Sequence, residues 1–511
     1  MTTFYGTGGI DSITGTGTAD TIFGYGGNDF LLGGDGADYI DGGDGNDIVF
    51  DLDTQHADTA TDTLYGGNGD DLIGGGFLDN IDGGAGFDSL ILTLSNMTSG
   101  ATFDFTGIWS GATYSFGGAT IQHMERLSTC LGTSYNDILT TGSPTGQTPW
   151  LMGGDGGDRL TGGAGLDNLA ANVQFDPNTP VYDTAYDILY GLGGDDRISC
   201  GIGDYADGGT GNDQLRMDLI SSGSAVSVNF GTLLTTGSAT ILGTTLISFE
   251  GVEMVLATNG NDTIVVPQTN QYSSNLYGRD GNDVLTTGNG ADILDGGLGA
   301  DTMSGGDGYD QYYVDNAGDV IIETSQPVGD QVYSSISYTL PTNVEYLTLT
   351  GTAALDGMGN ALANVITGNT SNNVLTGLDG DDRLDGGAGG DALYGGTGKD
   401  TLIGSTGSDV FVFNQGDVAG TTWTNSDRIT DFSQGDSDRI SLAGMDAVTG
   451  GTDDAFAFIG TAAFSHVAGQ LRYDNAGGVT TIYGDMDGDG IADFAIGLNN
   501  AVALVAADFI L

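Results

Sequence analysis

The sequence predicts an all-β solenoid. Three observations carry that: a nine-residue unit repeated along the whole chain, an acid content made almost entirely of Asp, and short apolar–polar alternation of period two. From Gly33 to Phe50 the chain reads G-G-D-G-A-D-Y-I-D and then G-G-D-G-N-D-I-V-F, with Gly at positions 1, 2 and 4, Asp at 6 and a large apolar residue at 8. Clear copies begin at Gly66, Gly83, Gly153, Gly162, Gly208, Gly296, Gly305, Gly386 and Gly395. Looser ones begin at Gly6, Gly24, Gly191, Gly278, Thr287, Gly377 and Gly404. A unit this short cannot bury its apolar residue alone, so copies must stack into one continuous core.

Each part of the unit has a physical reason. Gly admits positive φ and close backbone approach, so G-G-x-G specifies a tight turn whose carbonyls can point at a common centre. The Asp at position 6 adds a carboxylate to that concave set. Oxygen ligands without Cys or His suit a hard cation, and flexible backbone ligands favour Ca2+ over the strictly octahedral Mg2+. The closing x-U-x reads as a short strand with its apolar side chain inward: Ile40, Val49, Ile73, Leu90, Leu160, Leu169, Leu215, Leu393 and Leu402. Two units close one turn of a flattened coil.

Composition agrees. Of 69 acidic residues only Glu125, Glu250, Glu253, Glu323 and Glu345 are Glu, against 10 basic residues and a net charge of -59. Solubility alone would use both acids; the preference for Asp selects a short carboxylate close to its own backbone. Neighbouring Asp side chains about 5 Å apart repel by roughly 0.8 kcal/mol even at the dielectric of water. Calcium is therefore expected to fold the chain, with the metal-free chain expanded. The same charge disfavours nucleic acid and anionic lipid as partners.

The repeated G-G-x-G-x-D-x-U-x spacing resembles the calcium-binding nonapeptide repeats of the RTX family, which form a parallel β-roll. The resemblance implies calcium ions between loops one full turn apart, held by Asp carboxylates and backbone carbonyls. The matching residues are Asp11, Asp29, Asp38, Asp47, Asp71, Asp88, Asp158, Asp167, Asp196, Asp213, Asp283, Asp292, Asp301, Asp310, Asp382, Asp391, Asp400 and Asp409, joined in the first two clear copies by Gly33, Asp35, Gly42 and Asp44.

Breaks in the periodicity set the expected organisation. An N-terminal β-roll covers 1–91 and a β-rich insertion 92–140; a second roll block covers 141–216 and a second insertion 217–265. A third roll block covers 266–322, a longer-strand insertion 323–356, a fourth roll block 357–413 and a C-terminal capping and secretion region 414–511. The first two insertions read as copies of one element, because Asp88 and Asp213, like Asp137 and Asp262, are offset by the same spacing. The insertions are expected to widen the solenoid locally.

Val410-Phe411-Val412-Phe413, Asp427-Arg428-Ile429, Asp438-Arg439-Ile440 and the terminal Asp508-Phe509-Ile510-Leu511 resemble the C-terminal region of serralysin-type secreted metalloproteases. That region caps the β-roll and carries an uncleaved signal for type I secretion. The expectation fits an N-terminus with no Sec-type signal pattern. Within it, Asp485-Met486-Asp487-Gly488-Asp489-Gly490 matches the start of an EF-hand loop, but position twelve is Ile496. It reads first as a hairpin turn and second as a weak calcium site.

Catalytic signatures are absent from the sequence. No H-E-x-x-H joins the three histidines His56, His123 and His466, and no G-x-S-x-G occurs. Cys130 and Cys200 read as buried small residues. No apolar run reaches the ~20 residues of a membrane span. The expected function is a secreted, extracellular calcium-folded structural protein of a cell surface layer or matrix, self-associating and handled by type I secretion machinery. The alternatives are a calcium-dependent adhesin or polysaccharide binder using Trp109, Tyr114, Phe116 and Trp150, or a polysaccharide-modifying enzyme with its site in the insertions.

Overall fold

The computed structural model describes residues 1–511 except 52–59, 117, 173–183, 268, 270–271, 325–327, 419 and 451–453; His56 falls outside the described residues. Nearly all regular structure is β, in two compact units: Met1–Asn259 with Ile264–Gln268, and Gly260–Thr263 with Thr269–Leu511. The parallel β-roll expected from the repeats is the fold of both.

In the first unit successive strands alternate between two stacks. One stack begins with the parallel strands Thr2–Tyr5, Asp20–Gly26, Tyr39–Asp44, Thr63–Asn68 and Asn80–Ala85. The other runs through Ser12–Thr14, Phe30–Leu32, Ile48–Phe50, Leu72–Gly76 and Ser89–Thr93. Pairs such as Phe30 with Ile48 lie one coil of two units apart in sequence. Strands are three to seven residues long because x-U-x supplies only three residues before the next glycine turn. The inward position-8 residues Ile22, Leu31, Ile40, Val49, Leu64 and Ile73 are completely buried and form a line of stacked side chains.

The first two insertions interrupt one of the two stacks. Each ends a sheet with an antiparallel strand: Tyr114–Phe116 pairs with Ala119–Gln122, and Ser238–Ile241 with Thr244–Ile247. An antiparallel hairpin leaves no parallel edge for a further coil, so a fresh sheet starts beyond the first, from Thr102–Asp104 through Ile138–Thr140 to Arg159–Gly163. Both insertions also impose a register shift on the continuous sheet, between Leu90 and Ile91 and between Leu215 and Arg216. They differ in their short helical pieces: the first has the 3-10 turn Ile108–Ser110, the second the 3-10 turn Ile220–Ser222 and the helix Gly231–Thr236.

In the second unit, residues 323–356 continue the parallel stacking, with Gln331–Ser334 paired to Gln311–Val314 and Tyr346–Leu349 to Gln331–Ser334. The C-terminal part ends the stack with Phe494–Leu498 parallel to Asp427–Ile429, then antiparallel Val479–Asp485 and Gln470–Ala476. Buried Phe411, Phe413, Phe432, Phe494 and Phe509 replace the single apolar line with a wider core. No helix among the described residues is long and apolar enough to cross a membrane.

Candidate metal centre

The acids at position 6 line up as ladders running across the coils. The main-chain N–H of one acid donates to Oδ1 of the acid one coil later: Asp11 to Asp29 at 2.8 Å, Asp29 to Asp47 at 2.8 Å, Asp47 to Asp71 at 2.7 Å and Asp71 to Asp88 at 2.8 Å. Asp20, Asp38, Asp62 and Asp79 form the companion ladder. The second half of this unit has Asp137–Asp158–Asp187–Asp204 and Asp167–Asp196–Asp213. The second unit has Asp262–Asp283–Asp301–Asp319 and Asp292–Asp310–Asp330, then Asn364–Asp382–Asp400–Asp427 and Asn373–Asp391–Asp409–Asp438. One oxygen of each carboxylate is thereby committed to the backbone.

The second oxygen divides the rungs into two kinds, and at most rungs the φ angle at position 2 tracks which; Asp292 and Asp427 are open although Gly288 and Trp423 are not left-handed. Where position 2 is left-handed, Oδ2 is buried without a hydrogen bond: Asp47 behind Gly43 (φ 103°), Asp71 behind Gly67 (φ 116°), Asp88 behind Gly84 (φ 99°) and Asp400 behind Gly396 (φ 99°). The rule holds without glycine. Tyr25, Leu192, Arg279, Leu378 and Ser405 occupy position 2 with φ of 71°, 75°, 78°, 83° and 64°, and Asp29, Asp196, Asp283, Asp382 and Asp409 are likewise open. At other rungs position 2 keeps negative φ and its N–H turns onto the carboxylate and closes it. Thr7, Thr16 and Thr133 donate to Asp11, Asp20 and Asp137 at 2.5, 2.6 and 2.6 Å, with their hydroxyls adding a second bond. Gly163 and Ser143 close Asp167, both at 2.7 Å.

Open rungs gather oxygens. The point where a Cβ on Gly42 would stand is 2.5 Å from Asp47 Oδ2 and 2.5 Å from the Gly66 carbonyl oxygen of the next coil. A side chain is excluded there, which explains glycine at position 1 even though its φ is ordinary. Buried carboxylates stacked coil upon coil carry a large desolvation cost unless a cation joins them. Burial first, and neighbouring Asp charge after it, pushes Asp71, Asp283 and Asp409 up to about 7 and Asp196 and Asp400 up to about 8. A carboxylate–carbonyl oxygen set without nitrogen or sulfur fits Ca2+.

The expected ligand set therefore sorts by geometry. Asp29, Asp38, Asp47, Asp71, Asp88, Asp158, Asp196, Asp213, Asp283, Asp292, Asp301, Asp310, Asp382, Asp391, Asp400 and Asp409 are buried ladder rungs. Asp11 and Asp167 stand on ladders with Oδ2 already taken by hydrogen bonds. Gly33 and Gly42 line the convergent space, whereas Asp35 and Asp44 project exposed side chains away from it; Asp44 instead accepts a 2.7 Å bond from Asn68 Nδ2. Position 3 is the tip of the turn, so its side chain points to solvent.

Several rungs escape the nine-residue signature. Asp62, Asp79, Asp187, Asp204, Asp319 and Asp330 lack a complete preceding G-G-x-G, and only the D-x-U triplet or its near equivalent marks them. Three Glu residues continue ladders where the coil spacing departs from the regular one, longer at Glu125 and Glu250 and shorter at Glu345. The N–H groups of Asp88, Asp213 and Asp330 donate to Glu125, Glu250 and Glu345 at 3.0, 2.8 and 2.9 Å. At the first two the partner strand is shifted, with Glu125 and Arg126 N–H both on the Asp88 carbonyl, and the extra methylene spans the added distance.

Other candidate groups resolve simply. Asp485 to Asp493 connect two antiparallel strands, with Asp485 accepting from Gly488 and Gly490 at 2.7 and 3.0 Å, so the hairpin reading holds there. Trp109 donates to the Thr141 carbonyl at 2.8 Å, Phe116 and Tyr114 pack half-buried against Phe103 and Phe105, and Trp150 is exposed. Cys130 and Cys200 are buried and free. His123 pairs with Asp82 at 2.7 Å, which raises its affinity for a proton.

Stacked parallel coils with buried, oxygen-only rungs define a calcium-binding solenoid. Residues 5–40, 25–50, 53–79, 150–176, 184–205 and 277–312 match the family model described as RTX calcium-binding nonapeptide repeat. Residues 362–511 match that of the peptidase M10 serralysin C terminal. The chain thus carries RTX calcium-binding repeats and a serralysin-type C-terminal region, and its cofactor is calcium. No curated protein matches it. Among solved structures it is similar to the AlgE6R3 subunit of the Azotobacter vinelandii mannuronan C5-epimerase, at 26% identity over 29% of this chain and 78% of that one, with a TM-score of 0.22.

Proposed function

We propose that this protein is a secreted, calcium-folded structural component of a cell surface layer or extracellular matrix, with the open rungs as its calcium ligands. The observation that carries the calcium part is the row of buried Oδ2 atoms without hydrogen-bond partners beside next-coil carbonyls. Such rows are a liability in a metal-free chain and become the main cohesive element once ions enter. Export by type I secretion rests on the serralysin-type region at 362–511. The structural role rests on repeats occupying both units.

The test is direct. Purified full-length chain is stripped of calcium, titrated with it while strand content is followed by circular dichroism, and then imaged at millimolar calcium by negative-stain electron microscopy. Cooperative strand formation followed by ordered two-dimensional arrays is expected. Strand content indifferent to chelation would sink the calcium reading, and a monodisperse monomer at high protein and calcium concentration would sink the surface-layer reading.

A further inference from the structure

One carboxylate cluster departs from the ladder pattern. Glu323 follows Gly305 by the spacing that separates Gly278 from Gly296 and Gly377 from Gly395, so it holds the place of a position-1 glycine. At the regular coils the space over position 1 is shared by Asp Oδ2 and the next coil's glycine carbonyl, as with Gly296 O beside Gly278 at 2.6 Å. Over Gly305 the neighbours are instead Asp310 Oδ2 and the Tyr312 hydroxyl. Tyr312 fills the inward position 8, normally apolar, and is completely buried. Its hydroxyl accepts the Gly305 N–H at 2.7 Å and donates to Glu323 Oε1. Glu323 Oε2 accepts the N–H of Thr324 at 3.0 Å.

The glutamate is thereby aimed at two ladder acids. One carboxylate oxygen each from Asp310, Glu323 and Asp330 lies within 4.8 Å of the others. Asp310 and Asp330 each spend an oxygen on the ladder, at 2.8 and 2.9 Å. Asp310 is fully buried and its Oδ2 has no partner. No Arg, Lys or His pairs with any of the three among the described ion pairs.

We propose that Asp310, Glu323 and Asp330 form a discrete calcium site, distinct from the ladder sites in taking three side-chain carboxylates and in being oriented by a buried phenol. It rests on the reading of the roll as calcium-binding. Three formal negative charges on oxygen ligands select a hard divalent cation and raise its affinity above that of a site built partly from carbonyls. The ion ties the start of the third insertion to the preceding coil. The same replacement recurs in the first unit, where Asp51 follows Gly33 by one coil spacing and gathers with Asp62 and Asp79.

Bound calcium measured on the full-length chain after dialysis to falling free calcium tests this, in wild type, Glu323→Gly and Glu323→Gln. Glycine restores the repeat residue and glutamine keeps the shape, so both are expected to regain wild-type strand content at saturating calcium. Each is expected to retain one equivalent fewer than wild type at free calcium low enough to empty the ladders. Terbium bound at the first equivalent, excited through tyrosine, is expected to lose at least half its emission in Tyr312→Phe. Equal retention in wild type and both variants would overturn the site. Ladder ions binding normally while this equivalent is missing from wild type would overturn it too and leave the roll reading standing, whereas a wild type that binds no calcium would sink the roll reading itself.

Discussion

The first coil, Gly6 to Asp20, and the coils that follow it from Gly42 to Asp88 share one backbone plan and solve the same electrostatic problem in opposite ways. In the first coil Thr7 and Thr16 keep negative φ and cap their own acids, so Asp11 and Asp20 need nothing from solution. In the later coils Gly43, Gly67 and Gly84 turn left-handed, withdraw that N–H and leave Asp47, Asp71 and Asp88 dependent on an ion. Self-sufficient rungs recur after two of the insertions: Thr133 caps Asp137 after the first, and Asn360 and Asn369 cap Asn364 and Asn373, at 2.7 and 2.8 Å, after the third. A closed rung of this kind is satisfied by its own turn and needs no ion shared with a neighbouring loop.

The largest test of this contrast is calcium removal. Chelation at pH 7.5 is expected to abolish most strand signal, because open rungs far outnumber closed ones, and readdition to restore it. Acidification should imitate the ion in part. The open acids titrate higher in the fold than in the unfolded chain, where an Asp lies near 3.8. The calcium-free fold therefore holds protons that the unfolded chain releases. Its stability is greatest below about pH 4 and is lost as pH rises through roughly 6 to 8. Circular dichroism of the stripped chain should show strand content growing from pH 8 to pH 4.5; calcium affinity should weaken over the same range as protons compete. A flat profile would refute this.

Substitutions sharpen the comparison further. Gly66→Ala places a Cβ against Asp71 Oδ2 and, at 2.6 Å, the Gly83 carbonyl. It should cost about 3 kcal/mol of calcium-saturated stability in urea denaturation, whereas Gly8→Ala, with nothing within 4 Å, should stay within about 0.5 kcal/mol. Thr16→Gly removes the hydroxyl bond to Asp20 and frees φ to turn left-handed, and should lose about 1 kcal/mol at low calcium, with recovery at high calcium only if an opened rung takes an ion. Leu378→Gly relieves a left-handed leucine at φ 83° and should gain about 1 kcal/mol.

Much of this was legible in the sequence, and the reasons are local. Position 6 carboxylates, position 8 core residues and the parallel coil follow from a unit whose every residue has one role. Asp35 and Asp44 stand at the exposed third position of the turn, and composition does not distinguish the tip of a turn from its concave side. Closed rungs such as Asp11 and Asp167 depend on the φ of a residue four positions earlier, and a glycine there, as at Gly163, permits either sign. Glu125, Glu250 and Glu345 became rungs only through register shifts and altered coil spacing that long-range pairing creates. The insertions' edge-closing hairpins likewise required knowing which strand already lay beside them.

Because each rung's N–H is answered by the acid of the coil after it, the ladders have a direction, and the two ways of shortening a stack are unequal. Losing a leading coil frees a carboxylate oxygen, which water hydrates readily. Losing a trailing coil strands one buried N–H per ladder, a group that must find another acceptor or forfeit its burial. The glutamates and the acids Asp427 and Asp438 stand where that debt falls due, so the carboxyl-terminal side of each stack is where erosion by truncation or proteolysis should begin.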